Sequence, residues 1–587
     1  MRSVSRKRRV GLTRLAVYVR DQRGRIALLS LAAAFTSAVQ VGGWLLVGDA
    51  IDNGIRAHAT SRLDIDVAIY VGLNAVAWLV GSGLILGLAQ LGQLIVLRLR
   101  EHLFGHLTGL SLRYFSEQRA GWIISRITND VDALSDVLSE GLSTLVGNVL
   151  TLTGALIALA ILDWRLALAT MVILPPTVIV ARWFQVRSHA AFADVRTRIS
   201  ALTAQVAESL AGMAVIQSYN RESAFGEQFG ELNRANQRAN QRAQNLSSIF
   251  FPAIELFGVI ATVAVLALGS RLYEGGTLTL GTLIAFIGLL SLLFQPLQEL
   301  SELYGQVQSA AAAMEKITTV LDVEPDIASP AGARRIDRVE GHVHLDQVTF
   351  AYGREPVLHG IDLDIPAGTC VALVGMSGGG KSTLARLVAR FYDPRDGAVR
   401  VDGHDLREID LVHYRRQLGV VLQDPFLFAG SIADNLRFAA PDASDERVEA
   451  TARAIGLNRV AARFSKGLDH VVREGGSGLS AGERQLISIG RALLADPRIL
   501  ILDEATSNID RPTEVLIEKA LDRLLHGRTS IVIAHRLATV RRADEIVVLE
   551  RGRIVERGSE AELMAAHGQF AALARELAAP TAVVVDS

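Results

Sequence analysis

Long apolar stretches recur through the first half of the chain and have the length of membrane-spanning helices. Roughly 20 apolar residues in a helix suffice to cross the hydrocarbon core of a bilayer. Five stretches carry no charged side chain, and Glu255 interrupts a sixth. The shortest stretch is bracketed by Arg165 and Arg182, which can extend to the membrane interfaces; its alternative is a buried helix of a soluble domain. We predict six spans, at residues 26–47, 67–96, 141–162, 166–181, 246–270 and 278–297.

The segments between these stretches differ greatly in length. Residues 163–165 and 271–277 form short connections, whereas residues 98–140 and 182–245 are long, charged and helical in pattern. We therefore expect a six-helix, all-α transmembrane domain whose helices extend far into the cytosol. The short connections are expected on the outer side of the membrane.

A basic cluster precedes the first apolar stretch and indicates the cytoplasmic side by the positive-inside rule. Its alternative is a nuclear or nucleic-acid-binding patch. Asp49 and Asp52 follow the first stretch in place of a small-residue cleavage site, so a cleavable signal peptide is not expected. Six spans return the chain to the cytosol, and we predict a multi-pass protein of a bacterial plasma membrane with both termini inside. The basic cluster consists of Arg2, Arg6, Lys7, Arg8 and Arg9.

Composition narrows the class of protein further. The chain has 587 residues, of which 50% are hydrophobic, and is therefore too long and too apolar for one soluble domain. The formal net charge of -1 argues against a nucleic-acid partner, because neutralising phosphates requires a basic excess. Cys370 is the only cysteine, which excludes a disulfide framework and a cysteine-based metal site. We expect Cys370 to be a small buried strand residue.

A second domain follows the last apolar stretch. Residues 325–332 contain two prolines, a serine and a glycine, a composition that breaks helices and joins domains. Beyond a boundary near Ala331, strand-like and helical segments alternate as in α/β proteins. The predicted regions are a transmembrane domain over residues 1–330, an α/β domain over residues 331–578 and a flexible tail over residues 579–587.

A glycine-rich loop determines the chemistry of the second domain. An apolar run at 371–374 leads into Gly-Met-Ser-Gly-Gly-Gly-Lys-Ser-Thr at 375–383, and a helical pattern follows at 384–391. Glycines let backbone N–H groups approach phosphates, and Lys381 neutralises the outer phosphates while Ser382 can bind Mg²⁺. This predicts a P-loop ATPase domain that binds ATP and Mg²⁺. The predicted contacts are Gly375, Ser377, Gly378, Gly380, Lys381, Ser382 and Thr383.

Polar residues follow two further predicted strands, where phosphate chemistry occurs in α/β domains. The strand at 499–502 ends in Asp503 and Glu504, and the strand at 530–534 ends in His535. We expect Asp503 to hold Mg²⁺, directly or through water, and Glu504 to polarise the attacking water. His535 would bond the γ-phosphate. The alternatives are a solvated acidic pair at a strand end and a structural histidine.

With these motifs in place, the chain resembles an ABC exporter half-transporter over nearly its whole length. Leu-Ser-Ala-Gly-Glu-Arg-Gln at 479–485 resembles the family signature, and Gln423 resembles the family's switch glutamine, a further Mg²⁺ ligand. The resemblance implies that Tyr352 stacks on adenine and that Glu474 touches the cytosolic helices of the membrane domain. It also implies that the segment from Ser507 through Asn508 and Ile509 to Asp510 crosses a dimer interface.

In the family, each ATP lies between the phosphate loop of one domain and the signature of another, so Ser480 and Gly482 would contact the partner's ATP. The signature here departs from the family's usual Leu-Ser-Gly-Gly-Gln, with Ala481 for a glycine and Glu483 for the glutamine. The departures weaken the expected contact with the opposite ATP. We therefore favour a heterodimer with a second half-transporter, and a homodimer is the alternative.

The membrane half also resembles the family's coupling segments. In those segments a short cytosolic helix inserts into the ATPase domain and moves the attached membrane helices. An ordinary charged cytosolic helix is the alternative. The residues concerned are Tyr114, Phe115, Gly121, Ser125, Arg126, Asn129, Asp130 and the range 208–217.

The resemblance implies ATP-driven export or flipping of a small amphipathic, lipid-like or drug-like substrate by alternating access. A soluble ATPase of the same superfamily is excluded by the six spans, whereas an importer or an ATP-gated channel stays open as the alternative. Glu255 lies three residues after Pro252 and is expected to face a cavity or a partner, since an exposed charge in lipid is costly. A cargo contact, a proton-linked switch and a hydrogen bond between helices are its three interpretations.

Overall fold

The computed structural model describes residue 18 and residues 20–503, 509–534 and 536–578. The contacts divide these residues into two compact units. Unit 1 contains the described residues up to Thr108 and Arg119–Val323. Unit 2 contains Gly109–Gln118 and the described residues from Glu324 onward. The predicted tail at 579–587 lies outside the described residues.

Unit 1 consists of helices in its described part. Helix α3 belongs to unit 2 by its contacts, although it lies between helices of unit 1 in the sequence. Short π-helical segments at Ala50–Ile55, Arg126–Asp130 and Val137–Gly141 adjoin the α-helices. The α-helices are α1 Arg23–Asp49, α2 Thr60–Gly109, α3 Leu112–Glu117, α4 Ala120–Ser125, α5 Val131–Asp136, α6 Leu142–Leu162, α7 Trp164–Met171, α8 Leu174–Ala211, α9 Met213–Ser218, α10 Glu222–Glu274 and α11 Leu280–Leu321.

Five helical segments in the described chain are long and apolar enough to cross a membrane, at Arg20–Ile55, Thr60–Gly109, Ala120–Leu162, Trp164–Ala211 and Glu222–Glu274. The apolar part of α11, Leu280–Pro296, is shorter. Five of the six predicted stretches therefore lie in helices of spanning length, and the crossing by the sixth stays a prediction. Helix α10 has 53 residues and is about 80 Å long at 1.5 Å per residue, so the helices do continue beyond the apolar stretches.

The connection between the third and fourth stretches is tighter than the predicted loop of residues 163–165. Only Asp163 separates α6 from α7, and its carboxylate accepts hydrogen bonds from Arg165 N at 2.8 Å and Leu166 N at 3.1 Å. This N-cap starts a new helix at once. The fourth stretch is then interrupted between α7 and α8, because Pro175 and Pro176 occupy the first turn of α8 and cannot continue a preceding helix.

Unit 2 contains two main sheets. The larger has the order β12-β11-β3-β10-β9-β6, in which the five strands from β11 to β6 run parallel, and the smaller has the order β2-β1-β4-β5. Cys370 is buried at the start of β3, as predicted, and burial raises its pKa to about 12. The strands are β1 Val343–Phe350, β2 Leu358–Ile365, β3 Cys370–Val374, β4 Asp396–Val401, β5 His404–Asp405, β6 Leu418–Val421, β7 Gly430–Ser431, β8 Val471–Val472, β9 Ile499–Asp503, β10 Thr529–Ile533, β11 Glu545–Glu550 and β12 Arg553–Gly558.

Helices cover the sheets of unit 2 and connect its parallel strands, as expected for an α/β domain. Apolar side chains from the strands and helices form the cores of the unit. The helices are α12 Lys381–Val388, α13 Leu411–Arg415, α14 Ile432–Arg437, α15 Asp445–Ala454, α16 Leu457–Ala461, α17 Ala481–Ala495, α18 Arg511–Leu525, α19 Leu537–Val540, α20 Glu560–Ala565 and α21 Gln569–Ala578.

Candidate functional site

The glycine-rich loop connects buried strand β3 to the N-terminus of α12. Gly380 precedes the helix in a left-handed conformation, with φ of 102°. At Gly375, φ is 144° and a Cβ atom would lie 2.1 Å from the carbonyl oxygen of Leu549. Glycine is therefore required at both positions. The loop brings backbone N–H groups and the positive end of the helix dipole to one place, an arrangement suited to phosphate.

Lys381 is the cation of this loop. The residue is buried, and Nζ donates hydrogen bonds to the carbonyl oxygens of Gly375 at 2.7 Å and Met376 at 2.9 Å. Burial lowers the pKa of Lys381, and the negative charge of Asp503 opposes that shift. The ammonium group is thus held inside the curve of the loop. Ser377 and Gly378 lie in the loop itself, and Ser382 and Thr383 follow Lys381 in α12.

The ends of three parallel strands meet at the same edge of the larger sheet. Ile533 of β10 is opposite Leu373 of β3 on one side and opposite Asp503 of β9 on the other. Asp503 therefore ends its strand beside the phosphate loop, as the sequence predicts. Glu504 and His535 lie outside the described residues, as do Ser507 and Asn508, and their roles stay predictions.

Gln423 follows β6, the neighbour of β9, where Val421 is opposite Leu502. The Gln423 side chain is exposed. Among the described residues, no group of three or more His, Cys, Asp and Glu side chains could hold a metal ion. Mg²⁺ commonly takes one or two carboxylates together with nucleotide phosphates and water. The side-chain oxygens of Ser382, Gln423 and Asp503 are of the kind that Mg²⁺ takes beside a nucleotide, and their role as its ligands stays a prediction.

Tyr352 is joined to the helix that begins at the phosphate loop. Its hydroxyl lies 3.2 Å from Thr383 Oγ1 and accepts a hydrogen bond from Arg386 at 3.2 Å. Phe350 and Tyr392 meet the ring edge-on, with centroids 4.9 and 5.1 Å away. The ring is 37% exposed. It is thus held firmly while remaining open to a planar ligand.

The signature residues form the start of α17. Ser480 is the N-cap, and its Oγ accepts a hydrogen bond from Glu483 N at 3.3 Å. In return, Glu483 Oε2 accepts from Ser480 N at 2.8 Å, which completes a capping box. Ser480 and Ala481 are exposed, whereas Glu483 is only 5% exposed. The acid therefore points into its own domain and stabilises the helix start.

Arg463 is the second partner of Glu483, and sequence reasoning missed it. Its guanidinium forms an ion pair with Glu483 Oε1, although the Arg463 side chain is itself largely exposed. The two residues are far apart in the sequence and share no motif, so the sequence carries no signal for this contact. The carboxylate of Glu483 is satisfied by the capping box and by Arg463 together.

The second glycine of the signature, Gly482, is required because neighbouring side chains leave no room for a Cβ atom. A Cβ atom at Gly482 would lie 2.5 Å from the Thr513 side chain and 2.9 Å from that of Ile509. Asp510, the N-cap of α18, accepts hydrogen bonds from Thr513 N at 3.1 Å and Thr513 Oγ1 at 3.0 Å. These bonds lower the pKa of Asp510 and keep it ionised. Gly482 thus allows the start of α17 to pack closely against the start of α18, which Asp510 caps.

The predicted coupling residues fall into two groups. Helix α3, which contains Tyr114 and Phe115, belongs to unit 2, where Arg113 lies 3.6 Å from Asp326. Arg126 and Asp130 instead form a buried ion pair inside unit 1, and Lys316 Nζ lies 3.3 Å from Asp130. The structure therefore places α3 in unit 2 and buries Arg126 and Asp130 among the helices of unit 1. The other predicted residues of this group are not buried: Gly121 and Asn129 are exposed, and Ser125 is half-buried.

Two further predicted interaction segments can be located. Residues 208–217 include the end of α8 and most of the short α9, and Gly212 lies between these two helices. Glu474 is exposed and lies in a single helical turn just before the signature. Both have the short, exposed form that a contact segment needs. Their partners stay predictions.

Two family profiles match the chain. The ABC transporter transmembrane region matches residues 26–297, and the ABC transporter domain matches residues 358–507. A solved structure of a bacterial Atm1-family ABC exporter with ATP bound has a TM-score of 0.81 and 28% sequence identity. The match covers 97% of this chain and 100% of that one.

Curated relatives match along most of the chain. An uncharacterized ABC transporter ATP-binding protein of Bacillus subtilis, YknV, is 36% identical over 565 residues, which is 96% of this chain and 94% of the relative. A fatty acid ABC transporter ATP-binding/permease protein of Mycobacterium bovis is 36% identical over 524 residues, covering 89% and 82%. An ATP-dependent lipid A-core flippase of Syntrophus aciditrophicus is 35% identical over 480 residues, covering 82% and 80%.

Proposed function

We propose that two half-transporters together use the residues described above to drive an amphipathic substrate across the bilayer. This proposal proceeds from the family, because the chain belongs to the ABC transporters and is an exporter-type half-transporter. ATP binding and ATPase-coupled transport are properties of the family to which the chain belongs. The observation that carries the residue assignment is Lys381, held inside a phosphate loop beside Asp503. We further propose six spans, with the ATPase domain and both termini in the cytosol.

Each polar group at the strand ends has a distinct part in ATP hydrolysis. Lys381 and the loop N–H groups hold the phosphates, and Ser382, Gln423 and Asp503 would hold Mg²⁺, which neutralises charge on the phosphates. Glu504 accepts the proton of the attacking water, and His535 bonds the γ-phosphate. Tyr352 stacks on the adenine. Ser480 and Gly482 of one half contact the ATP held by the other half.

The choice between a heterodimer and a homodimer depends on whether Ala481 and Glu483 weaken the contact of the signature with the opposite ATP. Glu483 does not face the exposed end of the signature, because its carboxylate caps α17 and pairs with Arg463. Ala481 does lie on the exposed end. Its methyl group is therefore the remaining reason to favour a heterodimer, and the heterodimer stays a prediction.

Purified alone, the chain is expected to hydrolyse ATP about tenfold more slowly than with its partner half-transporter, which corresponds to about 1.4 kcal/mol of lost transition-state stabilisation. The reason is that the Ala481 methyl group obstructs the contact with the opposite ATP. Steady-state ATPase assays in nanodiscs measure this, with Ala481→Gly expected to raise the activity of the isolated chain. Fast, cooperative turnover by the isolated wild type would establish a homodimer instead.

Glu483→Gln is expected to change ATPase activity by no more than about twofold, because the amide oxygen still caps α17 and an ion pair with an exposed arginine contributes only about 0–1 kcal/mol. Glu483→Ala removes the cap as well and should lower the free energy of unfolding by about 1 kcal/mol. ATPase assays and thermal unfolding measure both effects. A gain of ATPase activity well above tenfold in Glu483→Gln would mean that the acid faces ATP and repels it.

The cargo is proposed to be amphipathic. Two of the relatives support this range, since their names specify a lipid A-core flippase and a fatty acid transporter. Uptake assays in proteoliposomes, with ATP added outside, test the proposal. An importer or channel is not favoured, because the solved structure that matches nearly the whole chain is an exporter.

A further inference from the structure

A cavity of about 560 Å³ lies in unit 1 between helices α10 and α11. Its volume falls in the range of sites that hold small organic ligands, roughly 300–1,000 Å³. Most of the lining side chains are apolar, and the cavity also contains one acid, Glu255. Among its described lining residues there is no basic side chain. The cavity therefore combines an apolar wall with an uncompensated negative charge.

The charged group of the cavity lies toward one end of the two helices. Glu255 and Gln295 lie far from the short connection between α10 and α11, whereas Val263 and Ile287 lie nearer to it. At 1.5 Å per residue, Glu255 is about 30 Å from the end of α10. The two hydroxyl groups of the wall donate to carbonyl oxygens of their own helices, Thr262 to Gly258 at 2.9 Å and Ser291 to Gly288 at 2.7 Å. The charge is thus at one end of the cavity, and the rest of the wall offers mainly apolar contacts, as an amphipathic occupant requires.

Glu255 has no partner among the described side chains, unlike Glu299. Glu299 of α11 accepts hydrogen bonds from Asn148 Nδ2 at 2.9 Å and from Gln295 Nε2 at 3.0 Å. Glu255 is exposed, and no described side chain forms a hydrogen bond or an ion pair with it. An interhelical hydrogen bond, one of the three interpretations from the sequence, thus finds no support in the described chain.

A carboxylate at membrane depth is costly unless a cavity, water or an opposite charge accompanies it. The apolar stretch around Glu255 carries no arginine or lysine, so the opposite charge has to come from outside the cavity wall. We propose that this cavity binds a small amphipathic cation, with the positive group at Glu255 and the apolar body toward Val263 and Ile287. This inference rests on the proposed transport function and specifies its substrate class.

The test is equilibrium binding of radiolabelled tetraphenylphosphonium to the full-length protein in nanodiscs without ATP. Glu255→Gln is expected to bind this cation about tenfold more weakly than the wild type, the effect of losing one favourable charge interaction of about 1.4 kcal/mol. Glu255→Asp keeps the charge and should bind nearly as well as the wild type. The matched control is Glu274→Gln, which removes an exposed acid of the same helix outside the cavity and should leave binding unchanged.

Tetraphenylborate has nearly the same shape with the opposite charge, and we expect the wild type not to bind it when its binding is measured separately, since the two ions precipitate together as a salt. Equal affinity of the wild type and Glu255→Gln for tetraphenylphosphonium would overturn the inference, and so would equal affinity of the wild type for tetraphenylborate. Lack of cation binding by the wild type would overturn it as well, and would favour a second copy of the chain as the group that covers the cavity. Because binding is measured without ATP, a failure of transport alone leaves this result unaffected.

Discussion

Lys381→Ala is expected to weaken ATP binding by about 10- to 100-fold, because hydrogen bonds to charged groups contribute about 1.5–3 kcal/mol each. Lys381 is the cation of the phosphate loop, and its ammonium group is already positioned by the carbonyl oxygens of Gly375 and Met376. Titration with a fluorescent ATP analogue measures the affinity. The variant should also lose ATPase activity at nucleotide concentrations that saturate the wild type.

Arg386→Ala is a suitable control for Lys381→Ala. Arg386 is a neighbouring cation on α12 whose guanidinium bonds the Tyr352 hydroxyl instead of the loop carbonyls. Its removal should change ATP affinity far less than removal of Lys381. Unchanged ATP affinity in Lys381→Ala would show that this loop is not the phosphate site.

Glu504→Gln is expected to retain ATP binding and to lower turnover by about 100-fold or more, the usual size of a general-base contribution. The substitution preserves the size of the side chain and its hydrogen-bonding capacity but removes the base. Comparison of ATP affinity with the rate of phosphate release separates the two effects. In contrast to Lys381→Ala, the loss should appear in kcat and not in nucleotide affinity.

Asp503→Asn gives the complementary result for the neighbouring carboxylate. Asp503 ends β9 and lies close enough to Lys381 to influence its pKa, which places it among the phosphate-binding groups. Since Asp503 is proposed to hold Mg²⁺, this variant should need a higher Mg²⁺ concentration for half-maximal activity, whereas Glu504→Gln should not.

For the Glu504→Gln prediction, the contradicting result is wild-type turnover in that variant, which would mean that another residue supplies the base.

Local motifs could be predicted from the sequence because a few consecutive residues determine them. The phosphate loop needs glycines, a lysine and a helix start in order, and the structure has β3 ending at Val374 and α12 beginning at Lys381. The apolar stretches could also be predicted, from their length or, for residues 166–181, from the arginines that bracket a shorter stretch. The shorter apolar part of α11 is the stretch for which length does not suffice.

Contacts between distant segments could not be predicted in the same way. Glu483 read in isolation is an acid where an amide is usual, and only the fold shows that its carboxylate caps α17 and meets Arg463. Arg126 and Asp130 are four residues apart, so their pairing is local, but only the fold shows that the distant Lys316 also lies beside Asp130. In both cases a charge is explained by a partner that the local sequence does not reveal.

The central claim is that ATP hydrolysis by this chain drives substrate across a membrane. Proteoliposomes containing the purified protein, with its partner where one is needed, test this directly through ATP-dependent uptake of tetraphenylphosphonium, a fatty acid or a fluorescent phospholipid. We predict accumulation of at least one probe above its outside concentration, with none in Glu504→Gln and none with a non-hydrolysable ATP analogue. Uptake that only equilibrates across the membrane, or that persists in Glu504→Gln, would contradict the claim and favour a channel.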